Sequence, residues 1–424
     1  MTLLGEPGSQ QTLHAVSSHV HDVTQVAGDL YQLFLASPPA LRDRMRIREF
    51  GVLIAERLRA FVGREFAFDA IRRLVGGADF PSGYILVRGE PGVGKTALMC
   101  ALVRKNGYLH HFNIAPQNIR SSRAFHENIC AQLIVRYRLS FAEVPASAVD
   151  DSAFLSQLLE EAAAVADGPI VIVLDALDEA EDPPGGANQL FLPPTLPNGV
   201  YFVVSSREQA DFRLAVDRRE DVYLRDDDPA NLADISLYIS TFVDSHADRM
   251  RERLAGWGVT RARFIDELTE RSQGNFMYLV HVLNDIRDGR LGPETIEHIH
   301  NLPRGLQAYY RRHWAGMRSM EPERFERVFE PVLRLLATVR EPVTVDYLED
   351  LTSLAPSRIR EVIDRWRPFL NEVDIGDERR FRVYHLSFQE FLAVEGMGLK
   401  PFHRRIALRA IEGLPGLLPP ERPD

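Results

Sequence analysis

Between Phe61 and about Asp226 the chain alternates short, wholly apolar runs with longer segments in which apolar residues recur at helical spacing. The clearest runs are Tyr84-Ile85-Leu86-Val87, Ile170-Val171-Ile172-Val173-Leu174 and Val200-Tyr201-Phe202-Val203-Val204. Strands of this kind separated by helices are what a parallel sheet with crossover helices requires. Upstream, residues 1–37 are polar without a sustained helical period, and Pro38-Pro39 breaks the chain. The arginine-rich stretch from Leu41 to Phe61 then reads as a helix and a linker. After Asp226-Asp227-Asp228-Pro229 the strands stop and helical periodicity runs to about Leu302. A mostly helical block continues to the end, interrupted by one strand-like hairpin near Val373 to Tyr384. Asp182 to Gly199, rich in proline and glycine, reads as a surface loop between two strands. No internal repeat of fixed period is visible.

Composition narrows the class. At 424 residues the chain is long enough for two to four compact units. Hydrophobic residues at 45% and charged residues at 26% are those of a globular protein, and no apolar run approaches the ~20 residues that span a bilayer. With only Cys100 and Cys130 there is no disulfide framework or cysteine zinc site to build, so a reducing cytoplasm is expected. The net charge of -10 gives no general reason to bind nucleic acid.

The candidate chemistry starts where the first apolar run ends. Gly89-Glu90-Pro91-Gly92-Val93-Gly94-Lys95-Thr96 is a complete G-x-x-x-x-G-K-[ST] phosphate loop, preceded by a strand pattern and followed by Ala97-Leu98-Met99 at the head of a helix. Glycines let backbone N–H groups curl around a phosphate at the positively polarised helix start. Lys95 would reach the β- and γ-phosphates, and the Thr96 hydroxyl would sit on a magnesium ion, which prefers oxygen ligands. Lys95, Lys105 and Lys400 are the only lysines among 50 basic residues. Lysine is thus kept where a compact ammonium suits phosphate better than a planar guanidinium.

The strand Ile170–Leu174 ends in Asp175 and continues Ala176-Leu177-Asp178-Glu179-Ala180. Asp175 is the candidate magnesium ligand beside Thr96, and Asp178 or Glu179 would orient a water for γ-phosphate cleavage. The next strand ends in Ser205-Ser206-Arg207, where a fixed positive charge would detect a γ-phosphate. His110-His111 lack further metal ligands at suitable spacing and are expected to be structural, as are His14, His19 and His21. Asp226 to Asp228 read as a turn and helix cap before Pro229.

Together these residues resemble the NACHT class of STAND nucleotidases, which are switch proteins related to AAA+ ATPases. The resemblance rests on Phe61-Val62-Gly63-Arg64-Glu65, the phosphate loop, Asp175 to Ala180 and Ser206-Arg207. It continues through Gly274-Asn275-Phe276-Met277-Tyr278-Leu279, Leu302-Pro303-Arg304-Gly305-Leu306 with Tyr309 and Tyr310, and His385 to Leu392. Within the class it is most like bacterial NACHT proteins that carry WD repeats, whose His-His-Phe-Asn strand is matched by His110 to Asn113. The likeness implies an α/β P-loop NTPase fold with a parallel sheet at 61–226, a helical lid domain at 227–302, a mostly α winged-helix domain at 303–400 and a tail at 401–424. It also implies that Val62, Gly63 and Arg64 lie near adenine and ribose, that Gly274 and Phe276 open the lid helix, and that His385 touches the β-phosphate of ADP.

The activity implied is that of an ATP/ADP switch with bound magnesium, which oligomerises on activation and recruits an effector in antiphage defence or regulated cell death. Turnover is expected to be slow, because Ala176 stands where AAA+ proteins commonly carry an acid. Two other activities fit the same loop: a phosphotransferase acting on a small substrate, or a scaffold that binds nucleotide without hydrolysis. Val20 to Phe34, rich in β-formers around a Gly-Asp turn, resembles the short amyloid-signalling motifs of some NLR-like proteins; a disordered tail or docking strand is the plainer expectation. The ~60 residues before the nucleotide domain are too few for an ordinary enzymatic effector. The chain ends about 25 residues past the winged-helix motif, so a repeat-built sensor is expected elsewhere or beyond a truncation.

Overall fold

The computed structural model describes residues 32, 34–114, 119–293, 298–339, 341–375, 378–383, 386–394 and 398–412. They fall in two compact units, Met1–Ala247 and Asp248–Asp424.

The first unit is built on five parallel strands: β1 (Gly83–Gly89), β2 (Leu109–Phe112), β3 (Ile170–Asp175), β4 (Val200–Ser206) and β5 (Arg219–Leu224), in the order β2-β3-β4-β1-β5. Every residue of β2, β3 and β4 is buried, which explains why β3 and β4 read as nearly continuous apolar runs, while β2 carries His110 and His111 into the interior. Alternate residues feed two cores. Leu86, Ile172, Leu174, Phe202 and Val204 face one side, and Ile85, Val87, Val171, Val173 and Val203 face the other.

The helices that cover the two faces of this sheet include α1 (Ile47–Leu58), α2 (Glu65–Leu74), α3 (Lys95–Asn106), α4 (Ser122–Tyr137) and α5 (Ala153–Val165). Residues of α4 and α5, among them Phe125, Ile129, Leu155 and Leu158, complete the first core, while α1, α2 and α3 complete the second. The stretch expected to hold a helix and a linker is therefore an integral layer. Phe50 and Ile54 of α1 are fully buried, and the Phe50 ring packs against His110, His111 and Phe112 at centroid distances of 5.7, 5.5 and 5.3 Å.

His110 and His111 are indeed interior groups. The His110 backbone N–H donates to Gln132 Oε1, its carbonyl accepts from Asn128 and Gln132, and burial pulls the two imidazoles down to about 4 and about 3. The unit also takes in α6 (Pro229–Ser245), capped by Asp228, whose carboxylate accepts from Ala230 N. Asn231 and Asp234 of α6 bind Arg64.

Among its described residues the second unit is mostly helical, with an antiparallel pair, β6 (Leu370–Ile375) and β7 (Glu378–Val383). Gly274, at φ 71°, separates the helices α7 (Arg261–Ser272) and α8 (Phe276–Arg287), and Asn275 caps α8 by accepting from Tyr278 N. Further along, α9 (Gly305–Met320) and α10 (Glu330–Thr338) precede α11 (Val345–Thr352) and α12 (Pro356–Arg365), then the strand pair and α13 (Leu386–Val394). Val343 bridges Phe381 of β7, adding a third extended segment. The core here is aromatic: Tyr310, Trp314, Trp366, Phe369, Phe388 and Phe391 are all buried. Among the described residues no helix is long and apolar enough to cross a membrane.

Candidate functional site

The phosphate loop connects β1 to α3, as the sequence requires. Gly92 and Gly94 sit at φ 85° and 99°, conformations that a residue with a Cβ adopts only under strain. Gly89 is needed for a different reason: a Cβ there would lie 2.7 Å from Leu224 O and 2.9 Å from a Val93 methyl. Glu90 is exposed, Pro91 half-buried and Val93 buried, while Lys95, Thr96 and Ala97 form the first turn of α3. The Lys95 ammonium donates to Gly89 O at 2.6 Å and Glu90 O at 3.1 Å. Burial holds it below the ordinary lysine range, against the pull of the Asp178 and Asp175 carboxylates.

Because β4 lies between β1 and β3, the ends of β3 and β4 open beside this loop. Asp175, at the end of β3, is 4% exposed. Its carboxylate accepts from Ser205 Oγ at 2.5 Å and from the Thr96 hydroxyl. Burial raises it above the usual carboxylate range, although the two hydroxyls and Lys95 oppose that shift. A hydroxyl and a carboxylate held together beside a phosphate loop suit magnesium, which takes one or two protein oxygens and completes its shell with phosphates and water. Among the described residues no three His, Cys, Asp or Glu side chains converge as a protein-only metal cage.

The two candidate water-orienting acids differ in placement. Ala176 adopts φ 56° and ψ 54°, and the 3₁₀ turn Leu177–Glu179 follows. Through this turn the Asp178 side chain is left only 7% exposed and close enough to Lys95 to raise its proton affinity, whereas Glu179 is exposed. Arg207, just past β4, donates from Nε to Asp178 Oδ2 at 2.9 Å. Lys95, Thr96, Asp175, Asp178 and Arg207 thus form one cluster.

Residues that the sequence did not single out complete it. Asn113, following β2, donates from Nδ2 to Asp175 O and Ala176 O at 3.0 and 3.1 Å. Ser205 Oγ accepts from Ala176 N at 2.8 Å while donating to Asp175, and so fixes both the acid and the turn after it. For Ser205, a polar residue ending an apolar strand was the available signal; Asn113 follows the mixed strand Leu109–Phe112 and offered none.

Val62, Gly63 and Arg64 lie just before α2. Arg64 is 2% exposed; its guanidinium donates to Val93 O in the phosphate loop and to Asn231 Oδ1 at 2.7 Å, and its backbone N–H to Asp234 Oδ2 at 2.9 Å. Burial lowers it to about 10 despite the Asp234 charge. Arg64 thus ties the phosphate loop to α6. Gly274 and Phe276 belong to the second unit, at the start of α8. His385, His14, His19, His21 and the segment 20–34 except Gln32 and Phe34 lie outside the described residues.

The first unit is therefore an α/β P-loop nucleotide-binding fold. Residues 60–190 match the sequence profile of the AAA ATPase domain family. No curated protein matches the chain. Among solved structures, similarity is found to a STAND (signal transduction ATPase with numerous domains) protein with a tetratricopeptide repeat sensor from Pyrococcus horikoshii, at 13% identity and a TM-score of 0.41. That match covers 84% of this chain and 46% of the other, so the chain spans about half the length of that protein. The RuvB Holliday junction branch migration motor of Thermotoga maritima is similar over 78% of this chain and 95% of its own, at 12% identity and a TM-score of 0.30.

Proposed function

We propose that the chain is a nucleotide-operated switch of the NACHT type, which binds ATP and ADP, hydrolyses ATP slowly, oligomerises in the triphosphate form and recruits a downstream effector. The observation that carries this reading is the cluster of Lys95, Thr96, Asp175, Asp178 and Arg207 beside the phosphate loop. Backbone N–H groups at the head of α3 and the Lys95 ammonium would bind the phosphates. Thr96 and Asp175 would hold magnesium, which when bound neutralises charge on the β- and γ-oxygens. Asp178 would orient the attacking water, with exposed Glu179 as the second acid.

The resemblance further assigns Gly274 and Phe276 to a nucleotide-sensing lid and His385 to a β-phosphate contact from a winged-helix domain, so that ADP closes the module and ATP releases it. A segment around Val20 to Phe34 would then template an effector carrying a like motif, in antiphage defence or regulated cell death. The reading is tested on purified protein by nucleotide retention and light scattering. ADP should co-purify, Lys95→Ala should abolish binding, and Asp178→Ala with Glu179→Ala should trap an ATP-bound oligomer. Rapid multiple turnover on a small phosphate acceptor would refute the switch.

A further inference from the structure

The Arg207–Asp178 ion pair sets two expected roles in opposition. Asp178 is the acid best placed to orient water, and Arg207 the cation best placed to meet a γ-phosphate, yet each occupies the other at 2.9 Å. The Asp178 side chain is 7% exposed and that of Arg207 28%, so water screens the pair only partly. Both groups also lie close enough to Lys95 to act on its charge. A γ-phosphate drawn in by Lys95 offers Arg207 more charge and more acceptor oxygens than one carboxylate does, and guanidinium favours two-pronged contact with phosphate. A diphosphate ends one group short and makes no such demand.

Resting on the nucleotide-switch reading, we infer that Asp178 and the γ-phosphate compete for Arg207, so that Asp178 sets the site's preference between ATP and ADP. The pair restrains triphosphate binding, and its exchange for a γ-phosphate contact releases the Asp178 carboxylate to accept a hydrogen bond from water. A residue that only orients water would shift the ratio of binding constants, if at all, through its repulsion of the γ-phosphate, and would do so with or without Arg207.

The test is a double-mutant cycle on the full chain, using fluorescent ADP and a non-hydrolysable ATP analogue with magnesium. Asp178→Asn should tighten the analogue relative to ADP by roughly fivefold, the scale of a partly screened ion pair. Asp178→Ser should move the ratio in the same direction. Arg207→Ala should weaken the analogue and spare ADP, and adding Asp178→Asn to it should produce no further change. An unchanged ratio in both Asp178 variants overturns the inference. A shift that survives in the Arg207→Ala background does so as well, since it would report bare repulsion between carboxylate and phosphate. If the unaltered protein binds neither nucleotide, the nucleotide reading itself has failed, a result distinct from either.

Discussion

Gly63 shows how one missing side chain holds a site together. Its φ is 69°, and a Cβ built there would come within 2.0 Å of Asp234 Oδ1, while the other oxygen of that carboxylate accepts from Arg64 N. Arg64 shares the left-handed conformation, with φ 69°, and turns inward to bind Val93 O and Asn231 Oδ1. An alanine at 63 would strain the backbone and push Asp234 away from its partner. Gly63→Ala is therefore expected to cost about 1–3 kcal/mol, read as a lower thermal midpoint of the purified protein. An unchanged midpoint would mean that α6 moves freely to accommodate the methyl. The glycine and arginine were visible in the sequence as a motif, but their partners lie up to 170 positions away and left no local mark.

Among the elements, α1 was legible as a helix but not as part of the core. Arginines crowd the stretch from Leu41 to Phe61, which reads as a helix and a linker with no sign of which face would be buried. The helix is nonetheless amphipathic: Ile47, Phe50, Gly51 and Ile54 form its buried face. Three rings of β2 receive Phe50, so truncating it empties a site bounded by other side chains. Phe50→Ala should destabilise the first unit by about 3–5 kcal/mol, shifting the urea midpoint well below that of the unaltered protein. A change within experimental scatter would show that α1 is detachable after all. Strands β1, β3 and β4 posed no such difficulty, since burial on both faces writes itself into an unbroken apolar run.

At the scale of the whole molecule, both units share a sensitivity to acid through their buried histidines. His110 and His111 are drawn down to about 4 and about 3, and in the second unit burial draws His281, stacked on Tyr309, down to about 4. In an unfolded chain these imidazoles take up protons near pH 6.5, so the unfolded state binds more protons than the native state below that value. Stability should hold above pH 6.5 and fall as the pH drops toward 4, by up to about 1.4 kcal/mol per pH unit for each histidine. Denaturant unfolding at pH 7.5, 6 and 5 checks this, and His281→Gln should flatten the slope by close to one proton. Equal stability at pH 7.5 and 5 would contradict it.

The sequence by itself determined the chemistry of the centre: a phosphate loop between strand and helix, acids at the end of one apolar strand and an arginine at the end of another. Such features are legible because each depends on residues adjacent in the chain, whose backbone direction and periodicity are set locally. Only the tertiary structure decided which acid turns inward, since that depends on Ala176 in a left-handed turn fixed by Ser205, 29 positions away. It likewise decided that Arg207 meets Asp178, that Arg64 braces the phosphate loop and that α1 is core. These are contacts between distant segments, formed when the sheet order places β4 between β1 and β3, and no local pattern encodes them.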